Sequence, residues 1–201
     1  MHFRSQREYR NLEVEFPEYD ETQSMGSAEL VKFCEQNSKL PQPRPVICIF
    51  DRDEDSIVRK VMPSEGDYKS WGNNVFSFII PLPLHRKDHP EICIEFYYED
   101  KDIIRFDSNG KRLFVSSEFD SRSGRHINEN LNCTALNKLG RYTIIDNNVF
   151  DVKNNNMALS KDDFASAILN QTPEFKDVDF KHFNLIFKLI QNIAKQHDSE
   201  Y

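Results

Sequence analysis

The hydrophobic positions of this chain form runs whose spacing switches between a period of two and one of three to four. "NLEVEF" alternates Leu12, Val14 and Phe16 with Asn11, Glu13 and Glu15, the period of a half-buried strand, and Pro17 ends it before an acidic loop. Ser27 is then placed to cap a short helix whose Leu30, Val31, Phe33 and Cys34 make an apolar stripe. "KLPQPRP" is a stiff connector, because each proline fixes its own φ and pushes the preceding residue toward extended geometry. "VICIF" (46–50) is apolar throughout and predicts a strand covered on both faces, the central strand of a parallel sheet. The segment after it predicts a helix with Ile57, Val58 and Val61 inward, stopped by Pro63. Strand, charged turn and helix make the half-unit of a doubly wound α/β sheet, whose ligands sit beyond the carboxyl ends of the strands.

Farther along, "NVFSFIIPLPL" predicts a strand whose later part Pro81 and Pro83 confine to an edge or loop, and "EICIEFYY" predicts another strand. Asn109-Gly110 is a turn signal leading into a strand near Leu113–Val115, and "RYTIIDNNVFDV" reads as one more strand and turn before the exposed "NNN" loop. Ser160 with Asp163 three residues on resembles a capping box and starts a helix. A last helix, 177–196, places Phe180, Phe183, Phe187, Ile190 and Ala194 on one face as core packing, and the charged tail "KQHDSEY" frays.

Composition narrows the class. With 201 residues, 38% hydrophobic and 29% charged, the chain reads as one soluble globular domain spanning 1–201. The net charge of −7 argues against nonspecific coating of polyanions, which rests on lysine and arginine. No apolar run approaches the roughly 20 residues that cross a bilayer and no signal-peptide core stands at the N-terminus, so no membrane partner and a cytoplasmic location are expected. Cys34, Cys48, Cys93 and Cys133 have no CxxC spacing and read as structural thiols. The chain contains no GxxxxGK[ST], GxGxxG or GxSxG, so nucleotide hydrolysis, dinucleotide binding and serine-hydrolase chemistry have no motif support.

The candidate chemistry lies where "VICIF" runs into "DRDED". Residues two apart on a strand point to the same side, so Asp51 and Asp53 project together, and converging carboxylates suit a hard divalent cation such as Mg²⁺ or Mn²⁺. Such a site serves phosphate chemistry. The spacing alone fits aspartates that cap the following helix better than it fits a metal site.

"ICIFDRDE", preceded by "GSAELVKFCEQ" and followed by "VFSFIIPLPLHR", "ICIEFYY", "RLFVSSEF" and "ALSKDDFA", resembles the TOPRIM domain. The version it is most similar to is that of the overcoming-lysogenization-defect nucleases and related bacterial anti-phage proteins, over residues 11–170. The resemblance implies a Rossmann-like α/β fold, a mostly parallel sheet flanked by helices with a β-rich insertion and C-terminal helices. It also implies a magnesium site and cleavage of nucleic acid, DNA ahead of RNA. On this basis Asp51 and Asp53 match the family's metal ligands, and Lys161 lies where those nucleases carry a late lysine that could contact the scissile phosphate; a solvated lysine in a first helical turn is the alternative. Glu95 and Glu118 each follow an apolar stretch and are the candidates for the remaining carboxylate, with no firm motif for either.

The family's first motif, a glutamate usually followed by glycine at the end of the first strand, does not precede the DxD; Glu65-Gly66 comes after it, in a predicted loop, while Glu13 or Glu15 could substitute. The expectations are therefore a domain completed by another polypeptide, a piece of a longer protein, or a catalytically inactive interaction module. Any ATPase companion would be a separate chain. Two weaker constellations complete the reading. His85 and His89 have i, i+4 spacing between flanking prolines. Ser116, Arg122, Arg125 and His126 gather in a glycine-containing loop suited either to a phosphate or to plain solvation.

Overall fold

The computed structural model describes residues 9–16 and 26–197, so Pro17, the acidic loop after it and the end of the charged tail lie outside the described residues. Cα packing divides the chain into two compact units, Met1–Pro83 with Lys181–Tyr201, and Leu84–Phe180. The architecture is mixed α/β, with small sheets and short helices.

In the first unit, α1 (Ser27–Asn37) leads to β1 (Val46–Phe50), α2 (Asp55–Val61), β2 (Lys69–Gly72) and β3 (Val75–Ile79), and the chain returns as α5 (Asn184–His197). The sheet order is β1-β3-β2, with β1 parallel to β3 from Val46↔Val75 to Phe50↔Ile79, and β2 antiparallel to β3. The central strand is therefore β3, all five of whose residues are buried, and not "VICIF", of which Cys48 and Phe50 are buried. An unbroken apolar run fits a strand with one neighbour as well as a strand with two, and the choice falls to the hairpin that supplies β2. That hairpin turns through Asn73 and Asn74, both at positive φ (50° and 62°), the two-residue geometry that matches strand twist. Ser77, fully buried on β3, accepts from Trp71 Nε1 at 2.7 Å. Val31, Cys34, Cys48, Phe50, Ile57 and Val61 pack with the sheet as the core, as the stripes on α1 and α2 predict. Gly26, rather than Ser27, is the N-cap of α1.

"NLEVEF" keeps its alternation, with Leu12 buried and Glu13 and Glu15 exposed, but forms no strand; Leu12 N bonds Tyr9 O in a turn. Period two specifies extended backbone, and a ladder needs a neighbour as well. On α5 the buried residues are Ile186, Leu189, Ile190 and Ile193, so the inward face is rotated from the expected stripe and shares only Ile190 with it. Phe187 packs its ring 5.9 Å from Tyr9, Phe183 belongs to a 3-10 turn, and Phe180 falls in the second unit.

The second unit carries α3 (Asp100–Ile103), β4 (Phe114–Val115), β5 (Asn132–Cys133), β6 (Ile144–Ile145), β7 (Val149–Phe150) and α4 (Lys161–Leu169). Its ladders are two residues long, β4 against β6 and β5 against β7, both antiparallel. Phe114, Phe119, Cys133, Ile145, Val149 and Ala158 fill one core. "EICIEFYY" is a 3-10 turn at Ile94–Tyr97 instead of a strand. The buried Arg86 donates from Nε to Phe96 O and from Nη2 to Tyr98 O. Apolar runs this short do not separate buried strand from buried helix. The Asn109-Gly110 turn and β4 form as expected, with Gly110 at φ 73°.

α4 begins as predicted: Ser160 is the N-cap and accepts from Asp163 N at 3.0 Å. Ser160→Ala should lower stability by about 1 kcal/mol in urea unfolding. An unchanged midpoint would show that the cap contributes nothing.

Candidate functional site

The acidic turn stands at the carboxyl end of β1, beside the carboxyl end of its parallel partner β3. Ile80 N donates to Phe50 O at 2.9 Å, carrying the pairing one residue past the strands, and Arg52 Nη1 donates to Ile80 O at 3.3 Å. These bonds hold the turn against the sheet edge. Asp51, Arg52 and Asp53 are half-buried, whereas Glu54 and Asp55 are exposed. The N-cap of α2 is Glu54, whose side chain makes no capping bond, so the cap position belongs to neither Asp51 nor Asp53. This is the location at which α/β sheets hold ligands.

Lys161, from the first turn of α4, lies in the second unit and pairs there with Glu95, Nζ to Oε2 at 2.9 Å. Two residues singled out separately from the sequence are thus brought together. Burial works against the ammonium, but Cys93 and Glu95 outweigh it and hold Lys161 above the usual lysine range. The Lys161 side chain is two-thirds buried and already neutralises Glu95, an arrangement unlike that of a solvated surface lysine.

Among the described residues, one group of three acidic, histidine or cysteine side chains could hold a metal ion: Glu118, His126 and Glu129, whose ligand atoms lie within 4.8 Å of one another. Asp51 and Asp53 are not part of it. A protein cation stands in its midst. Arg112 donates from Nη1 and Nη2 to the two oxygens of Glu118 at 3.1 and 2.7 Å, and from Nη2 to Glu129 at 3.0 Å. The guanidinium also lies 3.8 Å from the ring centre of Phe114. His126 Nδ1 accepts from the backbone N–H of Asn128 and of Glu129, which places the ring proton on Nε2, 3.2 Å from Glu118 Oε2. A metal on Nε2 would require the opposite tautomer. Burial pushes the Glu118 carboxyl up, but the Arg112 guanidinium and the Val115 N–H outweigh it and hold the group below its usual range.

The sequence pointed to Glu118 and His126 individually and missed Arg112 and Glu129. Arg112 gave the one available sign, a charge directly before an apolar strand. The phosphate loop does not assemble: Ser116 Oγ donates to Arg141 O at 2.7 Å, and His126 faces the carboxylates while Arg122 and Arg125 are exposed. His85 and His89 have different partners, the former Phe96 O and the latter the stacked ring of Tyr142. All four cysteines are buried and none forms a disulfide, in line with structural thiols.

No helix among the described residues is long and apolar enough to cross a membrane. Comparison with protein-family models, with curated proteins and with solved structures returned no match.

The buried pair gives a pH-dependent expectation. Because Glu118 is held below its unfolded value, its stabilisation is complete at neutral pH and fades as pH falls from the ordinary carboxylate range through the folded value. Arg112→Met should cost about 3 kcal/mol at neutral pH by stranding the partly buried Glu118 carboxylate. That deficit should shrink as pH falls through the ordinary carboxylate range, because burial without Arg112 makes Glu118 protonate in the variant at a higher pH than in the wild type. A deficit independent of pH in chemical denaturation would show that packing, not charge, is what Arg112 contributes.

Proposed function

We propose that this chain is a metal-dependent phosphodiesterase acting on nucleic acid, a TOPRIM-like nuclease domain of the kind found in bacterial anti-phage systems. Asp51 and Asp53 would hold Mg²⁺ or Mn²⁺. The observation that carries the reading is the acidic turn itself, two aspartates separated by one residue at the carboxyl end of β1 and beside the parallel strand β3. A parallel pair with α2 in its crossover is also what a Rossmann-like sheet is built from. A divalent cation held there supplies an activated water and neutralises charge on the reacting phosphate. The protein's part is to fix the carboxylates, and the Phe50–Ile80 and Arg52–Ile80 bonds serve that by holding the turn at its start and at its middle residue. Lys161, for which the resemblance implies a phosphate contact, is paired with Glu95 within the second unit, so its part in cleavage rests on the resemblance alone.

A second reading, an inactive interaction module of the same fold, draws on a different observation. The three-ligand group among the described residues is Glu118, His126 and Glu129, so no third carboxylate or imidazole joins Asp51 and Asp53.

Purified protein should nick supercoiled plasmid with Mg²⁺ or Mn²⁺ and not with EDTA. The Asp51→Asn, Asp53→Asn double variant should lose on the order of 100-fold or more in rate, the usual scale for groups that position a catalytic water. Equal cleavage by that variant rejects the metal assignment, and a wild type inert on DNA and RNA with both metals favours the interaction module instead.

A further inference from the structure

The first unit contains a groove that the acidic turn does not account for. Two adjoining cavities, about 410 and about 850 Å³, share Met62, Asp67, Leu189 and Asn192. One wall is the segment between α2 and β2, and the other is α5. Arg52, Ile79 and Pro81 close one end of the smaller cavity, so the middle residue of the acidic turn also lines it.

The side chains along the smaller cavity fall into complementary kinds. Met62 and Leu185 are 58% and 39% exposed, apolar surface facing an open groove rather than a core. Lys188 is exposed on α5 and makes no ion pair among the described residues, and the same is true of Asp67. Arg52 supplies a second cation and Asn192 an amide with both a donor and an acceptor. A simple acyl chain fits poorly, because the groove continues into a polar cavity lined by Ser64, Glu65, Tyr68, Ser70 and Gln196. A metal ion is disfavoured by the two cations. What the lining matches is an anion attached to a flat apolar body with a hydrogen-bonding edge.

We propose that this cavity binds a mononucleotide unit. The phosphate lies at Lys188 and Arg52, the base rests on Met62 and Leu185 with its edge toward Asn192, and a sugar hydroxyl donates to Asp67. The volume of about 410 Å³ falls within the range usual for small-molecule sites. The inference deepens the nuclease reading, since it names where a nucleotide flanking the reacting phosphodiester would sit, but its binding step needs neither metal nor cleavage.

Calorimetry on the full chain in EDTA separates the two. Adenosine monophosphate should bind saturably, with adenosine and inorganic phosphate each at least about tenfold weaker, the loss expected when a charge-assisted contact or the base platform is removed. Lys188→Glu should weaken the monophosphate about tenfold and leave adenosine unchanged. Asn192→Leu should weaken both, and each of these exposed-position variants should keep the wild-type melting temperature. Absence of saturable binding, binding indifferent to Lys188→Glu, or displacement by decanoate as effective as that by the monophosphate would overturn the proposal. The Asp51→Asn, Asp53→Asn protein should bind the monophosphate in EDTA at least as tightly as the wild type, because it keeps Arg52 and loses two neighbouring negative charges, so loss of the nuclease reading leaves this result standing, and the reverse.

Discussion

The parallel ladder between β1 and β3 is the constraint on which the first unit depends. Its five pairs set the carboxyl ends of the two strands side by side, and the Phe50–Ile80 bond extends the match into the turn. Burial of Cys48 and Phe50 on one side and of every residue of β3 opposes any slip in that register, because a one-residue shift would move the core set to the other face. Each large apolar side chain held this way contributes about 1.5–3 kcal/mol relative to exposure. The acidic turn makes no such contribution. It is carried by a ladder stable enough to tolerate four carboxylates within Asp51–Asp55.

The second unit is held together differently. Ladders of two residues leave many backbone carbonyls without strand partners, and buried arginines supply the donors. Arg86 bonds Phe96 O and Tyr98 O, and Arg112 bonds Leu113 O as well as two carboxylates. Arg105 joins the buried Asp102 to Glu174 O and Asp177. A planar fork with five donors can serve several acceptors at once, which a lysine cannot do. The unit is thereby committed to particular charged pairs, and removing one partner would cost far more than the intact pair contributes.

This difference explains what could be read from the sequence. Features encoded locally were legible: the Ser160 cap, the Asn109-Gly110 turn, the inward faces of α1 and α2, and the placement of the DxD at a strand end. Features decided by distant partners were not. "VICIF" looks central until the β2–β3 hairpin takes that position for β3, and "EICIEFYY" looks like a strand until Arg86, several residues before it, takes its carbonyls. The same holds for the candidate sites. The turn at Asp51–Asp53 is contiguous and could be found, whereas the Arg112–Glu118–His126–Glu129 cluster is assembled across a loop, and the sequence marked Glu118 and His126 singly without joining them.

The two acidic assemblies pose one electrostatic problem and differ in how it is met. Around Glu118 and Glu129 the positive charge is covalent, a guanidinium at 2.7 and 3.0 Å. A metal entering there would have to displace Arg112 and reverse the His126 tautomer, so the geometry that makes the cluster look like a ligand set also makes it a poor one. In Asp51–Asp55 four carboxylates accompany a single arginine, and that arginine directs one donor to the backbone of Ile80. Whatever Arg52 neutralises, the turn retains a net charge of −3 from its own residues, four negative against one positive. Of the two assemblies, it is the one whose own residues leave an excess of negative charge, and that excess is what the proposed Mg²⁺ or Mn²⁺ site draws on.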